Sequence, residues 1–266
     1  MSPRAPAAAP PAADARSLSL LSCNILAGGS VRRYRDYVTH SWKHVLPHGS
    51  KRANLDELAR LIGDFDLVGL QEADAGSLRS GFLNQTEYLA EAAHFPYWTH
   101  QPNRRVSRLA TSSNGLLARW QPDEVLDYPL PGRIPGRGAL WTRFGSGPEA
   151  LIVVIAHLSL GAVARARQLA FLAELLDKHP NVVLMGDLNT PAHGKELDLL
   201  YARTALVRPE LAPATFPSWR PTRAIDHILV SRSIEVEKRW ALPHPVSDHL
   251  PIAARVRLPA ALARPA

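Results

Sequence analysis

The sequence predicts an α/β fold in which mixed β-sheets are flanked by helices. Three observations carry this. Short, nearly continuous apolar runs recur along the chain and suit strands buried on both faces. Segments with helical apolar spacing lie between them. The 266 residues, 46% apolar and 21% charged, can also bury one large core. That composition excludes a wholly disordered chain, a collagen-like repeat and a disulfide-rich miniprotein.

The elements follow in order. Residues 1–16 are rich in Ala and Pro, with Pro6, Pro10 and Pro11 interrupting any apolar run. They read as a disordered tail, not a secretion signal. Residues 18–25 form a first strand. Residues 52–63 place Leu55, Leu58, Ala59 and Ile62 on one helical face. DLVGLQE at 66–72 reads as a buried strand, and 84–93 as a helix beginning at Asn84. SNGLLAR at 113–119 and LIVVIAHL at 151–158 are strands. Residues 162–178 carry Leu169, Leu172, Leu175 and Leu176 at helical spacing. NVVLMGDLN at 181–189, then 226–231 and 252–258, complete the expected strands. Proline-rich stretches at 129–136 and 209–221 are loops. A single domain is expected over 17–258, with a frayed tail at 259–266.

No stretch approaches the roughly 18 apolar residues of a membrane-spanning helix. One cysteine, Cys23, precludes an internal disulfide framework and reads as a small core residue. A cytoplasmic location is the expectation, with peripheral membrane association left open. No obligate protein partner is evident.

Polar residues recur where buried strands end. Asn24 ends the first strand, Gln71-Glu72 another, His157 another, and Asp187 with Asn189 another. Asp226-His227 open a later strand, and Asp248-His249 follow a proline-flanked loop. Strand ends are rigid mounts, so these groups are expected to converge at one edge. If strand geometry continues, Asp187 and Asn189 face the same side, whereas His227 points away from Asp226 and reads as structural. Carboxylates, amides and histidines without a cysteine cluster suit a hard cation, Mg2+ or Mn2+. Histidine transfers protons near neutral pH, and amides stabilise charge on phosphate oxygens. The set suits hydrolysis of a phosphate ester.

QE at 71–72, HL at 157–158, GDLN at 186–189, IDHI at 225–228 and SDH at 247–249 carry a resemblance. In that order, with Asn24 on the first strand, they resemble the endonuclease/exonuclease/phosphatase superfamily over about residues 17–258. The resemblance implies a four-layered α/β/β/α sandwich of two mixed sheets, the DNase I-like fold. It implies Glu72 as principal metal ligand, with Asn24 orienting it or contacting phosphate. Asp187 and Asn189 would position the attacking water and the phosphate. His249 would be general base or electrostatic partner, oriented by Asp226. Asp248 would lie near the metal, and His157 would contact phosphate or protonate the leaving oxygen. Abasic-site repair nucleases carry an acidic residue two positions after the first-strand Asn. Here Leu26 stands there, which argues against that activity. HVLPHGSKRANL (44–55) and TFPSWRP (215–221) resemble a bacterial subgroup.

The net charge of +7 favours an anionic partner. Residues 203–266 hold ten Lys/Arg against five Asp/Glu, which supports a nucleic-acid phosphodiesterase. The alternatives are a phospholipid or sphingolipid phosphodiesterase at an anionic membrane, and an inositol-phosphate-type phosphatase. Trp42, Phe82 and Trp219 are candidate contacts with a membrane interface. A catalytically dead module keeping the fold is disfavoured by the intact polar set. Arg32, Arg33 and Arg35, and Arg104, Arg105 and Arg108, are equally read as cleft-lining or solvated. Trp219 and Arg220 are expected on a loop bordering the site. Asn114 reads as support for a turn.

Overall fold

The computed structural model describes residues 16–28, 49–106, 110–132 and 136–262. The N-terminal stretch, Arg32, Arg33, Arg35, Trp42 and Arg108 lie outside these residues. In chain order the first elements are β1 (Ser17–Asn24), α1 (Gly49–Ile62), β2 (Leu67–Asp74) and α2 (Gln85–Ala92). β3 (Tyr97–Val106), β4 (Ala110–Ala118), β5 (Glu124–Pro129), β6 (Gly138–Phe144) and β7 (Leu151–His157) follow. The rest are α3 (Ala162–Leu176), β8 (Asn181–Asp187), α4 (Asp198–Arg203), β9 (Asp226–Val230), β10 (Glu235–Ala241) and β11 (Ile252–Arg257).

The strands form two mixed sheets, ordered β10-β11-β1-β2-β4-β3 and β5-β6-β7-β8-β9. Side-chain alternation explains how these stack. Leu18 and Leu20 of β1 meet Val153, Ile155, Val183 and Met185 of β7 and β8 between the sheets. Leu21 and Cys23, one residue out of phase, turn outward beneath Leu55, Leu58 and Ile62 of α1. On the other sheet Ile152, Val154, Val182 and Leu184 turn outward beneath Leu169, Leu172 and Leu176 of α3. Four layers result, helix on sheet on sheet on helix, as the sequence resemblance implied. At Gly69 a Cβ would lie 3.0 Å from Ile155 Cγ1 and 3.2 Å from Met185 Sδ, so the sheets approach closely there.

β3, β5, β6 and β10 carry no strand reading in the sequence. Three of them are edge strands, where one side needs no apolar partner. β10 reads EVEKRWA and is largely exposed or half-buried. β3 contains Pro102 at a register shift against β4, as an edge strand allows. The 84–93 helix starts as expected: Asn84 is its N-cap and accepts from the backbone N–H of Thr86 and Glu87. Asn114 does not support a turn. It lies within β4 and donates to the Gly138 and Ile155 carbonyls of the opposite sheet. Residues 259–262, expected to fray, make a turn that packs Leu262 into the inter-sheet core. No described helix is long and apolar enough to cross a membrane.

Candidate active site

Strand direction gathers the site. β1 runs parallel to β2 with Asn24 beside Gln71, and β7 runs parallel to β8 with His157 beside Asp187. β9 is antiparallel to β8, so its first residue, Asp226, pairs with Asp187, the last of β8. The loop before β11 adds Asp248 and His249. All eight predicted site residues therefore reach one edge of the two sheets.

Asn24 bridges the sheets: its side-chain amide lies 3.4 Å from both Glu72 Oε1 and Asp187 Oδ2. His157 Nε2 stands 3.4 Å from Asp187 Oδ2 and 3.8 Å from Glu72 Oε1. His249 Nδ1 bonds Asp226 Oδ2 at 2.8 Å, while its Nε2 lies 3.9 Å from Asp187 Oδ2. The fully buried Thr215 hydroxyl donates to the same Asp226 oxygen. Thr215 was not singled out in the sequence, because a lone Thr in a proline-rich loop carries no signal. Ser247 Oγ donates to the Asn24 carbonyl and accepts from the His249 N–H, tying the loop to β1.

Backbone conformation sets two of these groups. Glu72 has φ 56 and sits where the β2–β4 register shifts between Leu70 and Ala73. This local distortion carries a cost typical of functional positions. Asn189 has φ 52, so the strand does not continue past Asp187. Asn189 instead donates its backbone N–H to Asp187 Oδ1 and its side-chain amide to the Leu158 carbonyl. The two residues of GDLN thus meet through a turn, not through a shared strand face. Gly186, with φ 145, admits no side chain, since a Cβ would lie 1.9 Å from the Ala156 carbonyl oxygen.

The electrostatics are uneven. Burial alone would raise the Asp187 carboxyl, but the His157 hydrogen bond and charge, the His249 charge and the Asn189 N–H hold it down at about 2. Burial likewise opposes charge on His249, yet the charge and hydrogen bond of Asp226, aided by Asp187 and Asp248, push it up to about 10. Asp248 is raised by burial and by the charges of Glu72 and Asp187, against the lowering effect of His249. His227 is buried with its Nε2 against the Thr190 carbonyl, and burial lowers its pKa, as a structural histidine requires.

The donor set fits a hard divalent cation. Glu72, Asp187 and Asp248 crowd one another electrostatically, and a cation among them would relieve that repulsion. Glu72 is the more open carboxylate, with its side chain 30% accessible against 3% for Asp187. Asp187, Asp226 and His249 also offer ligand atoms within 4.8 Å of one another. There, however, Asp226 Oδ2 and His249 Nδ1 are already bonded to each other.

The family model described as the endonuclease/exonuclease/phosphatase family matches residues 21–249. A family protein from Bacteroides thetaiotaomicron superposes with a TM-score of 0.67 at 19% identity, covering 91% of this chain and 98% of that one. A mannosyl-6-phosphatase of the same organism gives 0.65 at 19% identity over 90% and 99%. Sphingomyelinase C from Streptomyces griseocarneus gives 0.60 at 19% identity over 90% and 99%. No curated protein matches the chain by sequence. At such identities the structural likeness speaks for the fold alone. The family match rests on a model that spans every site residue from Asn24 to His249, and this chain belongs to the endonuclease/exonuclease/phosphatase family.

Proposed function

We propose that this protein is a Mg2+- or Mn2+-dependent phosphodiesterase that acts on nucleic acid by attack of water on phosphorus. The observation that carries the reading is the joined set Asn24, Glu72, His157, Asp187, Asp226 and His249, linked across both sheets at one edge. Glu72 and Asp248 would hold the cation, with Asn24 orienting Glu72. Bound there, a divalent cation supplies charge neutralisation and polarisation of the phosphate. Asp187, ionised and fixed by the Asn189 N–H, would orient the attacking water. His249 holds its proton through neutral pH, so its role is electrostatic, on the charge that builds on the phosphate oxygens. Asp226 and Thr215 are positioning residues behind it. His157 faces both Glu72 and Asp187 and would contact phosphate or protonate the leaving oxygen. Basic charge supports nucleic acid less than the sequence alone did. Arg203, Arg208 and Arg257 are spent on Asp177, Asp198 and Glu237.

A second reading, a lipid phosphodiesterase at an anionic membrane, draws on a specific observation. Phe82, Leu160 and Val163 are 65%, 78% and 73% exposed on segments that follow β2 and β7, next to the site edge. One panel separates the readings: bis-p-nitrophenyl phosphate, plasmid DNA, RNA, sphingomyelin and cardiolipin vesicles, and inositol phosphates, each with and without EDTA. Chelator-sensitive cleavage of DNA or RNA that falls steeply with salt supports the first. A requirement for vesicles supports the second. Activity undiminished in His249→Ala and Asp187→Ala would overturn the site.

A further inference from the structure

The loop between β9 and the preceding proline-rich stretch presents a cation beside the site. Phe216 and Arg223 pair across a tight turn: both the Thr215 and Phe216 N–H groups donate to the Arg223 carbonyl, and Arg223 N–H donates to the Phe216 carbonyl. The loop is clamped to the catalytic edge at three points. Thr215 bonds Asp226, Ser218 N–H bonds the Asp248 carbonyl at 2.7 Å, and Leu250 N–H bonds the Thr215 carbonyl at 2.9 Å. Phe216 packs its ring 4.8 Å from the His249 ring, centre to centre. The Arg223 guanidinium carbon lies 5.5 Å from the Phe216 ring centre, in the range of a cation–π contact.

Those two separations hold the guanidinium within about 10 Å of the imidazole, roughly one Debye length at 0.1 M salt. Arg223 is exposed, and among the described residues no ion pair with a carboxylate is found for it. Arg143, Arg165, Arg203, Arg208 and Arg257 all have one. An exposed guanidinium with a pinned backbone and a ring against it is pre-organised for an oxyanion.

We propose that Arg223, held over Phe216 at the rim of the site, binds a second phosphate of the substrate, next to the one that is hydrolysed. The proposal rests on the phosphodiesterase reading for the identity of the first phosphate. A polynucleotide supplies a second phosphate from its adjacent linkage, and a bis-phosphate lipid supplies one within its headgroup.

Equilibrium binding in EDTA tests this without turnover. The dinucleotides TpT and pTpT carry one and two phosphates. Wild-type protein is expected to bind pTpT about 10-fold more tightly, in line with one charge-assisted pair. Arg223→Ala and Arg223→Gln are expected to abolish that preference, and Arg223→Lys to keep part of it. Arg203→Ala removes an equal charge beside Asp177 and is expected to keep the preference. Vesicles of cardiolipin and of phosphatidylglycerol repeat the comparison for a lipid source. Equal binding of the one- and two-phosphate ligands in both series overturns the proposal, as does a preference that survives in Arg223→Ala. Should the preference be found while no phosphate ester is hydrolysed with Mg2+ or Mn2+, the phosphodiesterase reading fails and the subsite stands.

Discussion

Asp226→Asn isolates the positioning of His249. In the native site one buried carboxylate oxygen accepts from both His249 Nδ1 at 2.8 Å and the Thr215 hydroxyl. Asn is nearly isosteric but uncharged, and its oxygen can satisfy only part of this arrangement. A hydrogen bond to a charged group is worth about 1.5–3 kcal/mol. If that energy is expressed in the transition state, kcat falls by roughly 10- to 150-fold from this bond alone. Loss of the charge that sustains the His249 imidazolium adds to it, up to roughly the 10²–10³ typical of losing a group that stabilises transition-state charge. The assay is steady-state hydrolysis of bis-p-nitrophenyl phosphate with Mn2+, alongside thermal unfolding. KM is expected to change little. Thr215→Val should lower kcat in the same way by a smaller factor, and Thr215→Ser should restore it, since Ser keeps the hydroxyl. A kcat for Asp226→Asn within about threefold of wild type, in folded protein, would refute the reasoning, because it lies well below one lost charged hydrogen bond.

Other expectations follow from the same geometry. Glu72→Gln removes the most accessible site carboxylate and should raise the Mn2+ concentration for half-maximal activity by about 10-fold or more, read by metal titration. In EDTA the folded protein should have two flanks of pH-dependent stability, read by denaturant melts across pH. His249 is raised above its unfolded value, so its contribution is complete below about 6.5 and is lost as pH rises toward about 10. Asp187 is depressed, so its contribution is present above about 4 and is lost as pH falls toward about 2. His249→Asn should flatten the alkaline flank, and an unchanged flank would remove His249 as its source. Gly186→Ala should destabilise by about 3 kcal/mol or more, since its Cβ would overlap the Ala156 carbonyl at a backbone angle that favours glycine. A melting temperature within a degree of wild type would contradict that contact.

Buried strands were legible because their apolar runs are unbroken. β2, β7 and β8 are buried nearly throughout, and each was read within two residues of its observed bounds. The edge strands β3, β5 and β10 were not legible, since an exposed edge imposes no apolar pattern, whereas the buried edge strand β9 was. The site residues were legible as strand-terminal polar groups, but their partnerships were not. Thr215 lies 11 residues from Asp226 in sequence and gains meaning only when its loop folds back on the strand end. Asn189 was expected to share a strand face with Asp187, and a left-handed residue decided otherwise.

The sequence by itself determined the family, the strand-ending polar set and the hard-oxygen character of the site, because these follow from local residue types and their order. Only the tertiary structure decided that Asn24 joins the two sheets, that acidic neighbours push the His249 pKa up and that Arg203, Arg208 and Arg257 are spent on acids. It also decided that Arg223 lies over the Phe216 ring that packs on His249. Each of these depends on distances between residues far apart in the chain, and electrostatic and hydrogen-bond energies are set by such distances and by burial, which no local pattern encodes.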